Sequence, residues 1–151
     1  MDMSKNLQQV LQKIGKAPEG IVLPDSSRVL LLPYGGRILG LYSGDSDENF
    51  FWTNPALNSV ATARAYYDRA GWPNSGGDRT WLSPERELFI SDSSRAWETY
   101  QVPPSVDPAN YELQMTYEGV RLVSRMIVKQ LQSGKSVEVE VARSILPSVN
   151  R

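Results

Sequence analysis

The sequence contains no cysteine and no histidine. Without cysteine there is no disulfide, no thiolate nucleophile and no Cys-based zinc site. Without histidine, a Ser-His-Asp triad, a histidine general base and every His-ligated metal site are excluded. Acid–base chemistry would have to run on Asp, Glu, Lys, Tyr, Ser or Thr. An excess of either charge is missing too: 16 Lys and Arg face 17 Asp and Glu, for a net charge of −1. That balance leaves no basic face for nucleic acid and no charged tail. The longest aliphatic run, Val29-Leu30-Leu31-Leu32, falls far short of the ~20 residues that cross a bilayer. The polar residues 1–16 carry no apolar signal-peptide core. The expectation is a cytoplasmic protein, or a secreted one if the start is misassigned, that touches neither membrane nor nucleic acid.

With 151 residues, 40% of them hydrophobic, the chain is the size of one ordinary domain with a real core. Leu7, Val10, Leu11 and Ile14 fall on one helical face, with Ser4 as N-cap and Gly15 as stop. Residues 1–19 therefore read as a helix and linker. From residue 20 the grammar becomes that of short strands. Residues 20–24 and 28–33 are apolar and brief, Tyr34-Gly35-Gly36 turns the chain, and residues 37–43 alternate, so residues 28–43 predict a hairpin. Residues 49–53 read as an aromatic strand and 87–92 as another. Residues 60–67 suit a helix or a strand equally, and two long loops surround Pro73 and Pro103-Pro104.

The last third predicts an antiparallel meander over residues 111–117, 120–129 and 137–145. Val120, Leu122, Ser124, Met126 and Val128 share one face. The class expected is mainly β: an antiparallel sandwich over residues 20–151 with a short amino-terminal helix. The final strand ends near Ile145 and leaves an open edge unless the sheet closes on itself or the chain is part of a longer protein. That edge is where self-association is expected.

Residues 71–85 are the densest polar-aromatic stretch: Trp72, Asn74, Asp78, Arg79, Trp81 and Glu85 surround Gly76-Gly77. Carboxylates, amides and guanidinium groups read sugar hydroxyls, and indole rings stack on sugar C–H faces. The same residues would also make a plain buried turn, with Asp78 paired to Arg79, both tryptophans in the core and the glycines as punctuation. Asp45, Asp47 and Asn49 have calcium-loop spacing, but Phe50 and Ala56 stand where that loop needs Gly and Glu, so no metal is expected. No cofactor is expected either.

The run Val29-Leu30-Leu31-Leu32-Pro33-Tyr34-Gly35-Gly36-Arg37-Ile38-Leu39-Gly40-Leu41 resembles the opening hairpin of galactose mutarotase-like proteins, the aldose-epimerase-related β-supersandwiches. Phe51-Trp52 and then Trp72-Pro73-Asn74-Ser75-Gly76-Gly77-Asp78-Arg79-Thr80-Trp81-Leu82-Ser83-Pro84-Glu85 follow in the order found in that family. The resemblance spans about residues 7–118. It implies a large antiparallel sandwich, of which this chain is the amino-terminal portion, and a mono- or oligosaccharide in a concave face. It places Arg37, Asp78, Arg79 and Glu85 along the pocket, with Trp72 and Trp81 as stacking surfaces and Asn74 beside them. Mutarotases use His as acid and a later Glu as base. Here there is no His, and Ser75 stands just before the glycine pair where related sequences often carry one.

Three functions follow as expectations. The first is carbohydrate recognition without an assigned reaction. The second is a sugar epimerase, mutarotase or lyase using Asp78 or Glu85 as acid–base group. The third is a structural β module that pairs through its open edge.

Overall fold

The computed structural model describes residues 3–147, with side chains described from Asn6 onward. Helix α1 (Met3–Lys13) presents Leu7, Val10 and Leu11 to the core. Gly15 ends it with a left-handed backbone, φ 77°, and the Lys16 N–H closes back on the Leu11 carbonyl at 3.0 Å. Ser4 lies inside the helix rather than before it, and its side chain is outside the described residues.

Strands β1 (Glu19–Val22), β2 (Arg28–Leu32) and β3 (Arg37–Tyr42) form an antiparallel sheet in that order. The strict alternation expected in β3 is broken by a bulge. Leu30 faces Gly40 and Leu31 faces Ile38, so Leu39 is the extra residue. Leu39 and Tyr42 therefore share a core with Leu11, Leu30, Leu32 and α2, while Ile38 and Leu41 turn to the other side. Helix α2 (Val60–Asp68) resolves the ambiguous stretch. Ser59 caps it through Oγ on the Thr62 N–H at 3.2 Å, and Ala63 and Tyr66 are its buried face.

A second antiparallel sheet holds β4 (Glu112–Met115), β5 (Val120–Lys129) and β6 (Ser136–Ile145). The expected face of β5 is buried from Val120 to Val128. Its one polar member, Ser124, is satisfied by the Asn110 carbonyl at 2.8 Å. The two sheets meet where Val29 and Leu31 of β2 pack on Val120 of β5, and the rest of the buried β5 face, Leu122, Met126 and Val128, packs on Phe89, Val106, Ala109 and Tyr111. The architecture is thus a mainly β sandwich, with α1 and α2 over the outer face of the first sheet. The sheets are also tied at the Pro33–Gly35 turn: the Tyr111 N–H reaches the Pro33 carbonyl at 3.1 Å and the Gly35 N–H reaches that of Ala109 at 2.8 Å.

Two expected strands are not strands. Residues 87–92 begin as one helical turn, α3 (Glu85–Leu88), because Pro84 sets the entry and the Phe89 N–H closes on the Glu85 carbonyl at 2.8 Å. Phe89 is then fully buried, edge-on to Trp81 and Tyr100 at 5.1 and 5.9 Å between centroids. A further turn, α4 (Ala96–Thr99), precedes Tyr100. Residues 49–53 make only a single bridge, Thr53 to Gly76. Phe50 and Trp52 stay exposed there. No helix among the described residues is long and apolar enough to cross a membrane.

Candidate functional site

The turn Gly35-Gly36 takes positive φ, 86° and 56°, and delivers Arg37 straight into the interior, where it is fully buried. A buried guanidinium needs a counter-charge. It finds Asp107, from the loop before β4, with Nη2 to Oδ2 at 2.7 Å and both side chains 1% exposed. Nη1 donates to the Gly76 carbonyl at 2.8 Å. The same Asp107 Oδ2 accepts the Trp72 indole N–H at 2.7 Å. Its Oδ1 is buried without a hydrogen-bond partner. That oxygen lies 3.0 Å from where a Cβ on Gly35 would stand, so the glycine leaves the carboxylate its room.

Arg79 completes this layer. Its guanidinium sits over Trp72 at 4.8 Å and Trp81 at 4.4 Å from the ring centroids. It donates to Asn74 Oδ1 at 3.2 Å, and that oxygen also receives Arg37 Nη1 at 3.4 Å. The Trp81 indole N–H goes to Glu85 Oε1 at 2.5 Å, and the Tyr100 hydroxyl donates to Glu85 Oε2 at 3.0 Å. Six of the seven residues singled out in the sequence thus form one continuous network: Arg37, Trp72, Asn74, Arg79, Trp81 and Glu85. Asp78 does not join it. Its backbone bridges Ile38, and its half-exposed carboxylate pairs with Arg143 of β6. It does not pair with Arg79.

Beside the network opens a cleft of about 390 Å³, walled by Trp72, Pro73, Tyr100, Pro104, Asp107 and Pro108. Of the seven candidates only Trp72 lines it. Aromatic walls with few polar groups are the usual make-up of a small-molecule site. The chain matches no protein-family model, and comparison with curated proteins and with solved structures finds no match. The site must therefore be read from its own chemistry.

Burial pushes the Asp107 carboxyl up, against the pull of Arg37, Trp72 and Arg79. Burial also pulls the Arg37 guanidinium down, against the pull of Asp107. The two charges hold each other in a place that neither would occupy alone. Asp107 is the residue that a reading of the sequence misses. A buried Arg37 implies some carboxylate partner, but nothing in the spacing singles out the one preceding Pro108. Among the described residues no group of three or more Asp and Glu is placed to hold a metal ion. Asp45 bonds Ser43 at 2.7 Å, Asp47 pairs with Arg28, and Asn49 accepts the Leu41 N–H.

Behind the network, Tyr67 bonds Ser75 at 2.7 Å, and burial pushes its phenol up to about 12. In the unfolded chain the phenol ionises near 10. The native state therefore keeps a proton that the unfolded state sheds, and stability present below pH 10 is lost as pH rises towards 12. The urea midpoint is expected to fall steadily from pH 10 to pH 12, on the order of 2 kcal/mol from this group. In Tyr67→Phe that part of the slope should vanish. An unchanged midpoint between wild type and variant over this range would contradict the burial of Tyr67.

Proposed function

We propose that the chain is a carbohydrate-recognising protein of the galactose mutarotase-like kind, and that the sugar lies in the cleft between Trp72 and Tyr100. The observation that carries this is how the two rings are held. Both polar ends are already taken, that of Trp72 by the buried Asp107 and that of Tyr100 by the exposed Glu85, so what the two side chains offer a ligand is ring surface. Fixed aromatic faces suit the C–H face of a pyranose. Gln101, also on the cleft wall and exposed, supplies an amide for hydroxyls.

Recognition is favoured over turnover by the two carboxylates expected to do acid–base work. Asp78 is held by Arg143, Glu85 by Trp81 and Tyr100, and neither lines the cleft. A general acid or base must reach the reacting atom.

The test is a titration of labelled protein with a panel of mono- and oligosaccharides, followed in amide and indole NMR signals. The Trp72 indole is expected to shift for at least one sugar, while that of Trp97, 93% exposed and off the cleft wall, stays still. Trp72→Ala should weaken binding at least about tenfold, and Trp72→Phe, which keeps a ring face, less. Cleft signals that ignore every sugar would dismiss the reading.

A further inference from the structure

We infer that β6 pairs antiparallel with β6 of a second copy, about a twofold axis at Val141, to join two three-stranded sheets into one of six. β6 is ten residues long and pairs with β5 without a single register shift. It carries no proline. Edges left in solution are ordinarily blunted by bulges, proline, brevity or charge, and of these β6 has only charge, in Glu138, Glu140 and Arg143.

The hairpin sets which groups of β6 face outward. The Gln130 N–H donates to the Lys135 carbonyl at the hairpin, at 2.8 Å. Hydrogen-bonded and non-bonded pairs alternate from there. The odd residues of β6 are therefore bonded to β5, and Ser136, Glu138, Glu140, Ala142 and Ser144 turn their N–H and C=O groups to the open side. Among the described residues no segment takes these groups.

Side-chain chemistry suits a copy of the same strand, and it disfavours the registers that set glutamates against each other. Pairing centred on Glu140 would set Glu140 against its own image, which is unfavourable. Centred on Val141, the even residues still meet as bonded pairs, and each carboxylate faces a small neutral residue: Glu140 opposite Ala142, Glu138 opposite Ser144. Each Glu140 also keeps Arg125 of its own chain at 2.8 Å. On the other face Val141 meets Val141, and Val137, 58% exposed, comes opposite the half-buried Ile145. An exposed apolar residue is thereby given an apolar neighbour.

Sedimentation equilibrium over a range of concentrations tests this. Wild type should be a monomer–dimer system, and Ala142→Pro should weaken the dimer at least about tenfold. The Ala142 N–H faces the open edge, so proline removes two intermolecular hydrogen bonds per dimer and none within the chain. A dispersed amide spectrum checks that the variant is folded. If it is not, Ala142→Glu and Ala142→Lys decide, since they leave the backbone intact. The first should weaken the dimer by facing Glu140, and the second should strengthen it. In this cysteine-free chain Val141→Cys should cross-link to itself, because non-bonded antiparallel pairs sit about 4.5 Å apart, within disulfide reach. A monomer at every concentration, a dimer indifferent to Ala142→Pro, or Glu and Lys at 142 acting alike would each overturn the pairing.

Discussion

Asp107→Ala is expected to lower folding stability by about 3–5 kcal/mol, the usual cost of leaving a buried charge without its partner. Arg37 would remain fully buried with no counter-ion, and the Trp72 indole N–H would lose its acceptor. Arg79, whose Nε lies 3.9 Å from the same carboxylate oxygen, would lose that counter-charge and keep Asn74 and the two indole rings. That loss is a large share of a domain's ordinary margin of roughly 5–15 kcal/mol. The partner experiment is Arg37→Met with Asp107→Leu. Removing both charges together should cost less than Asp107→Ala alone, because the expensive element is the orphaned ion rather than the missing pair. Urea unfolding followed by tryptophan fluorescence measures both. A cost below about 1 kcal/mol for Asp107→Ala would mean that water reaches Arg37, and that the ion pair is not the keystone of the site.

Gly76→Ala and Gly77→Ala should each cost at least about 3 kcal/mol, from two causes that add. Both residues have positive φ, 90° and 70°, where a Cβ costs about 1–2 kcal/mol in conformation alone. Both are also wedged between backbones. A Cβ on Gly76 would meet the Trp52 carbonyl and lie 2.8 Å from the Thr53 Cα, while one on Gly77 would meet the Ile38 carbonyl and lie 2.8 Å from the Leu39 Cα. Backbone cannot rotate away as a side-chain tip can, so one of the hydrogen bonds there must open. The candidates are Gly77 N–H to Trp52 and Asp78 N–H to Ile38, both 2.9 Å. Gly15→Ala supplies the control. Its φ is 77°, but nothing lies within 4 Å of its Cβ position, so only the conformational cost of about 1–2 kcal/mol should appear. Equal losses at all three positions would show that close packing at the glycine pair contributes nothing.

The parts legible in the sequence are those with a short period. The α1 face, the β2–β3 hairpin and the burial alternation of β5 follow from spacings of two to four residues, and the structure has them in place. The glycine pair was legible as well, because only a residue without a Cβ suits such backbone. The strand expected at 87–92 failed for a physical reason: Pro84 and the acidic first turn start a helix, and the burial of Phe89 among Trp81 and Tyr100 outweighs the local alternation. The β3 alternation failed because a bulge at Leu39 is set by its partner strand, which local pattern cannot see.

By itself, then, the sequence determined the β class, the helix at the start, the chemistry that is ruled out by the missing histidine and cysteine, and most members of the polar-aromatic network. Tertiary structure alone decided which charges meet. Asp78 stands next to Arg79 in the chain yet pairs with Arg143, and Arg37 crosses to Asp107. The reason is desolvation. An exposed carboxylate takes whatever cation its strand brings near, at little cost or gain. A buried guanidinium holds its place only where the fold supplies a buried counter-charge, and that partner is fixed by the packing of loops seventy residues apart.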